Sequence, residues 1–334
     1  MDRDKILSEV VACLAHDKGI NPVWEKWRGP IFRRDAVIER VSVGGDLYGV
    51  KFFCAQKGLE HRAVRLFQAS QAHAGRRTET CAIPEVFPYF NNEGVAMMEW
   101  VDGQVAADLL LSLRGQKLRS EIIRRMGQWL HWFHGAEVVE SGYVPDSIVA
   151  KLSERCAEIL PPRQDDSFLY CLKILDGARP LVRSKRIRIG ALHGDFTPYN
   201  LIYAGEKTYG IDFSGNQGYL QADMARMMVC LTLHRWCLPT NDHLRQFGAS
   251  PKDVAAFFSG YTGYVPENDV LLWRYLMLAD ALRRWLSLLT ARRPLPRGGW
   301  ARAKREIERR RVRCLSLQLA ATLNHEGKEA TVSE

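Results

Sequence analysis

Apolar and polar positions along this chain follow two different periods, and the switches between them predict most of its elements. Ile6, Leu7, Val10, Val11 and Leu14 recur at helical spacing, which predicts a short amphipathic helix over residues 4–17. Strand-like runs follow at 23–27, 34–43 and 47–53, separated by turn residues at Gly29-Pro30 and Gly44-Gly45-Asp46. Leu59, Ala63, Leu66, Phe67 and Ser70 then mark a helix after Lys57-Gly58. Residues 86–90 and 95–100 read as a hairpin around Asn91-Asn92-Glu93-Gly94. Beyond residue 101 the helical period dominates. Ile122, Ile123, Met126, Trp129, Leu130 and Phe133 line one face of a helix that Gly135 stops. Asp223 is placed to cap the apolar run 224–236, and residues 270–289 are apolar nearly all round, as in a buried helix. A polar linker at 161–167 and a breaker-rich loop at 291–299 separate helices. A last helix over 300–323 leads into a tail that reads as disordered beyond residue 325.

One stretch in this pattern carries chemistry. Residues 187–192 alternate and then turn apolar, a strand that runs into His193-Gly194-Asp195-Phe196-Thr197-Pro198-Tyr199-Asn200. Residues 201–203 and 208–211 flank Ala204-Gly205-Glu206-Lys207 as a hairpin, which returns Asp212 at its end to the side of Asn200 at its start. A flexible loop at 215–218 follows. Phosphoryl transfer needs this set: hard oxygen ligands to hold Mg²⁺ on nucleotide phosphates, and a carboxylate to orient the attacking hydroxyl. Asp195 is the expected base, and Asn200 and Asp212 are the expected metal ligands. His193 is placed to brace the loop rather than carry a proton. His131 and His134 are three apart with no third ligand nearby, so they read as structural rather than metal-binding.

His193-Gly194-Asp195 with Asn200 five residues on, followed by Ile211-Asp212-Phe213, resembles the signature of the aminoglycoside phosphotransferase and choline kinase-like family. The resemblance spans roughly residues 23–290 and is strongest over 190–225. It implies an α+β, protein-kinase-like two-lobe fold. Residues 1–101 would form a nucleotide-binding N-lobe with its antiparallel sheet and N-terminal helix, and residues 102–334 a larger, mainly helical C-lobe for catalysis and substrate. It further implies that Lys51 holds the α- and β-phosphates, with Glu60 holding the lysine. Met97-Met98-Glu99-Trp100-Val101-Asp102-Gly103 is similar to the family's hinge, so the Glu99 carbonyl and Val101 amide are the expected partners of an adenine edge. The phosphate-covering loop, residues 28–35, holds only Gly29, and Arg33 and Arg34 are its candidate extra contacts.

Composition narrows the rest. The 334 residues allow a large core, and no apolar run reaches membrane-span length. The first residues lack a signal peptide's apolar core, so a cytoplasmic protein is the expectation. Eight cysteines without a Cys-x-x-Cys pair read as reduced core thiols. The net charge of +9 and pI near 9.2 favour anionic partners and disfavour a polycationic antibiotic. The expected activity is transfer of the γ-phosphate of ATP, with Mg²⁺, to a hydroxyl of a small molecule or glycan. Nucleic acid is not the expected partner, while a peripheral membrane contact stays open through Arg302, Lys304, Arg305, Arg309, Arg310, Arg311 and Arg313 on the last helix. A protein kinase is the first rival, but no segment after Asp212 reads as an activation loop closed by Ala-Pro-Glu. The second is a non-catalytic nucleotide-binding module. An idle relative need not keep Asp195, Asn200 and Asp212 together.

Overall fold

A computed structural model describes residues 2–32, 36–53, 62–87, 94–135, 138–159, 166–235, 249–263, 269–290 and 299–332. The chain divides into two compact units. One comprises residues 1–106 with 193–195 and 199–216, the other the remainder. The architecture is α+β, a mainly antiparallel-sheet N-terminal region followed by a mostly helical part.

In the first unit, helix α1 (Arg3–Lys18) begins at Asp2, whose carboxylate accepts from the Asp4 and Lys5 amides at 3.2 and 3.3 Å, and ends at Gly19 in the left-handed conformation. Strands β1 (Trp24–Phe32), β2 (Ala36–Val43) and β3 (Asp46–Phe53) follow, then helix α2 (Arg62–Ala74), the short strands β4 (Cys81–Ala82) and β5 (Val86–Phe87), β6 (Val95–Glu99) and β7 (Gln104–Val105). Five of these strands make an antiparallel sheet in the order β1-β2-β3-β6-β5. Leu7, Val10, Val11 and Leu14 of α1 bury against Val41, Val43, Tyr48, Val50, Phe52 and Met97 on one face. Strand alternation turns Gly49 and Lys51 to the other face.

The first strand does not stop at Gly29-Pro30, where a turn was expected; it runs on to Phe32 with pairing irregularities between Lys26 and Arg28 and between Arg28 and Ile31. An edge strand with bulges is where a residue lacking an amide proton is tolerated.

The second unit holds α3 (Ala106–Leu111, entering from the first unit), α4 (Leu113–His134), β8 (Val139–Gly142), α5 (Asp146–Ile159), α6 (Asp166–Gly177), α7 (Arg179–Val182) and β9 (Arg186–Ala191). The chain then returns to the first unit as β10 (Leu201–Ala204) and β11 (Lys207–Gly210). It continues in the second as β12 (Gln217–Tyr219), α8 (Leu220–Leu233), α9 (Pro251–Gly260), α10 (Val270–Thr290) and α11 (Gly299–Val332). Residues 217–219, read as loop, pair with β9 as a strand because Gln217, Gly218 and Tyr219 find Ala191, Gly190 and Ile189 as partners. The last helix continues to Val332 where disorder was expected. Asp223 is no cap: α8 starts at Leu220, and the carboxylate lies buried one turn in, 3.4 Å from His134 Nε2, while His134 Nδ1 meets the Tyr261 hydroxyl at 2.9 Å. Burial pushes the His134 imidazole below its usual range, against the opposing pull of Asp223. Of the six described cysteines, all thiols, Cys314 is exposed rather than in the core.

Helices α4 and α9 meet through glycine. A Cβ at Gly127 would lie 2.0 Å from the Phe257 carbonyl oxygen, and one at Gly260 2.0 Å from that of Arg124. Gly260→Ala should therefore force the helices apart and lower stability by about 1–3 kcal/mol. Chemical denaturation checks this, and an unchanged midpoint would show that the helices separate freely.

Candidate functional site

The described residues singled out from the sequence, Lys51, Glu99, Val101, Asp195, Asn200 and Asp212, all belong to the first compact unit. Glu60, with Arg33 and Arg34, lies outside the described residues.

The hairpin β10–β11 pairs in register, Leu201 with Gly210 and Ala204 with Lys207, and the Ile211 amide donates to the Asn200 carbonyl at 2.9 Å. That register brings the residue before the first strand beside the one that follows the second. The hairpin is anchored on both sides, β10 against β7 and β11 in parallel against β4. Asp212 lies two residues past the end of β11, at φ +60°, a left-handed conformation that costs a non-glycine residue of order 1 kcal/mol. The Ile211 bond on one side and the Ser214 amide donating to the His193 carbonyl at 2.8 Å on the other bracket this turn.

His193 is buried, and its Nδ1 accepts from the Asp195 amide at 3.3 Å, an interaction that requires that nitrogen to be unprotonated. Asn200 donates through Nδ2 to the Asp195 carbonyl at 2.8 Å and to its Oδ2 at 3.3 Å. Its Oδ1 is thereby the amide atom left for a cation. Gly194, at φ +82°, is required where it stands, since a Cβ would meet Ser214 Oγ at 2.6 Å.

Lys51, on the central strand β3, forms an ion pair with Asp212 Oδ1. The lysine side chain is 9% exposed and the aspartate 44%, so the pair has one buried and one open end. Two hard-oxygen side chains, Asp212 and Asn200, suit Mg²⁺, which keeps much of its coordination for water and substrate phosphates and takes one or two protein ligands. Among the described residues no group of three or more His, Cys, Asp or Glu could hold a metal without such help.

At the end of β6 the Glu99 amide donates to the Glu85 carbonyl at 2.8 Å, and the Trp100 amide, turned the other way, to Leu47 at 3.0 Å. The Glu99 carbonyl shares the Glu85 side by strand alternation. Among the described residues no hydrogen bond engages the Val101 amide. The Glu99 carboxylate itself accepts from Arg77 and from the Glu85 amide, both at 3.1 Å. Sequence reasoning passed over Gly49, two residues before Lys51 on the same face. A Cβ there would stand 3.4 Å from Trp100, 3.6 Å from Ile38 and 3.7 Å from Met98. Its absence leaves a shallow apolar recess beside the Glu99–Val101 backbone, and a glycine inside a strand was the available signal. Trp100 is also met edge-on by Trp27 at 6.1 Å and capped by the Arg40 guanidinium at 5.7 Å.

No family model and no curated protein matches the sequence. Solved structures do match the fold. A choline/ethanolamine kinase family protein from Mesorhizobium loti is 15% identical, with 97% of this chain and all of that one covered at a TM-score of 0.59. An amicoumacin kinase in complex with AMP-PNP and Ca²⁺ is 10% identical over 94% of this chain and 96% of that one, TM-score 0.58. An aminoglycoside phosphotransferase in ternary complex with ADP and hygromycin B is 13% identical over 94% and 98%, TM-score 0.55. The likeness read from the His193–Asn200 motif thus extends to the fold of nearly the whole chain, which is the kinase-like fold shared by choline/ethanolamine kinase and aminoglycoside phosphotransferase structures.

Proposed function

We propose that the protein is a phosphotransferase that moves the γ-phosphoryl group of ATP to a hydroxyl of a small molecule or glycan. The observation that supports this best is the Lys51–Asp212 ion pair, made across 161 positions of sequence, in the unit where Asn200 is clamped to Asp195. Lys51 takes the α- and β-phosphates. Asp212 and Asn200 Oδ1 hold Mg²⁺, which when bound neutralises charge on the phosphate oxygens. The purine lies in the recess over Gly49, its edge against the Glu99 carbonyl and Val101 amide. Asp195 accepts or orients the proton of the acceptor hydroxyl, in line with the γ-phosphate. Catalysis is positioning and electrostatics, since phosphoryl transfer asks little covalent chemistry of the protein. The neighbours bound to AMP-PNP, ADP and hygromycin B support a nucleotide donor and a small-molecule acceptor. The charge of +9 favours a sugar or lipid-linked glycan over a polycation as acceptor.

The test is ATP turnover with Mg²⁺ by the purified protein across sugars, glycans, choline-like alcohols and aminoglycosides. Stimulation by one class, abolished in Asp195→Ala, establishes both activity and acceptor class; ATP binding with no stimulated turnover across a broad panel favours a nucleotide-binding module. Asp212→Ala should separate metal from nucleotide. Mg²⁺-dependent nucleotide binding should be lost in a calorimetric titration, and a metal titration identical to wild type would remove Asp212 from the metal site.

A further inference from the structure

The second compact unit contains a cavity of about 340 Å³ between α5, α8 and α10. That volume falls in the range of small-molecule sites, about 300–1,000 Å³. Its wall is mostly apolar, from Ile148 and Leu152 on α5 and Leu276 and Ala279 on α10. The polar lining is unbalanced: Lys151, Arg155, Arg226 and Arg283 stand against Glu154 and Asp280. Asp280 is already committed, with Arg226 and Arg283 on Oδ1 at 3.0 and 2.9 Å and Arg284 on Oδ2 at 3.0 Å. One carboxylate among three guanidinium groups leaves surplus positive charge in a largely apolar wall. A neutral apolar guest would leave that charge unanswered, and a cationic one would meet repulsion.

We propose that this cavity binds an anionic amphiphile, a monomeric molecule with a short apolar body and a single carboxylate or phosphate head. The body lies along Leu152, Leu276 and Ala279, and the head is held by Arg226 and Arg283, with Lys151 and Arg155 on the exposed side. The site is independent of phosphoryl transfer, because none of these residues enters that chemistry.

Calorimetric titration of the full-length protein with decyl phosphate, decanoate, decyltrimethylammonium and inorganic phosphate, below micellar concentrations, tests it. Decyl phosphate and decanoate should bind at least about tenfold more tightly than the ammonium amphiphile or phosphate alone, the effect of one charge-assisted contact. Ala279→Phe should fill the cavity and abolish binding. The double variant Lys151→Glu/Arg155→Glu, confined to exposed side chains, should weaken the anionic probes several-fold with an unchanged unfolding midpoint. Equal binding of cation and anion, phosphate binding as tightly as decyl phosphate, binding untouched by Ala279→Phe in a folded protein, or no binding of any probe would each overturn the proposal. So would sedimentation with phosphatidylglycerol vesicles when the monomeric probes fail to bind, which would assign the charge to a bilayer surface.

Discussion

Replacing Asp195 with alanine should lower phosphoryl transfer on the order of 10²- to 10⁴-fold, the range for loss of a positioned base. The geometry makes this a test of chemistry rather than of folding. Two of the bonds that brace the loop use the Asp195 backbone: its amide donates to His193 Nδ1, and its carbonyl accepts from Asn200 at 2.8 Å. Both survive truncation of the side chain, and only the 3.3 Å contact from Asn200 to Oδ2 is lost. Asn200 therefore stays in place, and nucleotide affinity should change little while turnover collapses. That split between kcat and KM is what loss of an interaction made only in the transition state looks like. Near-normal turnover in the variant would sink the assignment of Asp195 as the base. A matched loss of nucleotide binding would mean instead that the side chain is needed to hold Asn200.

The parts of the molecule legible in its sequence are those governed by local pattern. The first helix, the strands through Phe53 and the hairpin 201–210 follow from periodicity and turn residues, because each buries a face that its own spacing defines. The approach of Asn200 to Asp212 was legible for the same reason, since hairpin register is set by the turn. Long-range features were not. That Asp223 would turn inward to His134 depends on α4 and α9 packing beside α8, and no residue near Asp223 announces it. The left-handed backbone at Asp212 is imposed by bonds to Asn200 and His193 from outside the turn. Gly49 looks in sequence like a weakness in a strand, and its meaning emerges only when Trp100, Ile38 and Met98 close around it. The continuation of β1 through Pro30 likewise depends on its being the edge of a sheet, a property of strand order that local pattern cannot express.

Asp280→Ala should be the most destabilising single change outside the first unit, by about 3–5 kcal/mol, because it removes one partner of a buried charge cluster and leaves the others uncompensated. The Asp280 side chain is 6% exposed, and the arginines that meet it, Arg226, Arg283 and Arg284, are 13%, 36% and 23% exposed. Burial alone would raise its carboxyl's pKa; the three guanidinium charges overcome that and hold it far below the usual carboxylate range. The sign of the pH dependence follows. A carboxyl depressed in the folded state contributes stability that is complete above the unfolded pKa, roughly 3.9, and is lost only as pH falls below it. The deficit of Asp280→Ala should thus be constant from about pH 8 to pH 5 and shrink in stronger acid. Urea unfolding followed by tryptophan fluorescence reads this directly, since Trp273 and Trp285 are buried on the same helix. A loss below about 1 kcal/mol would show that the arginines reach water once the carboxylate is gone. They would then form a solvated surface cluster, and the surplus charge assigned to the neighbouring cavity would lose its basis.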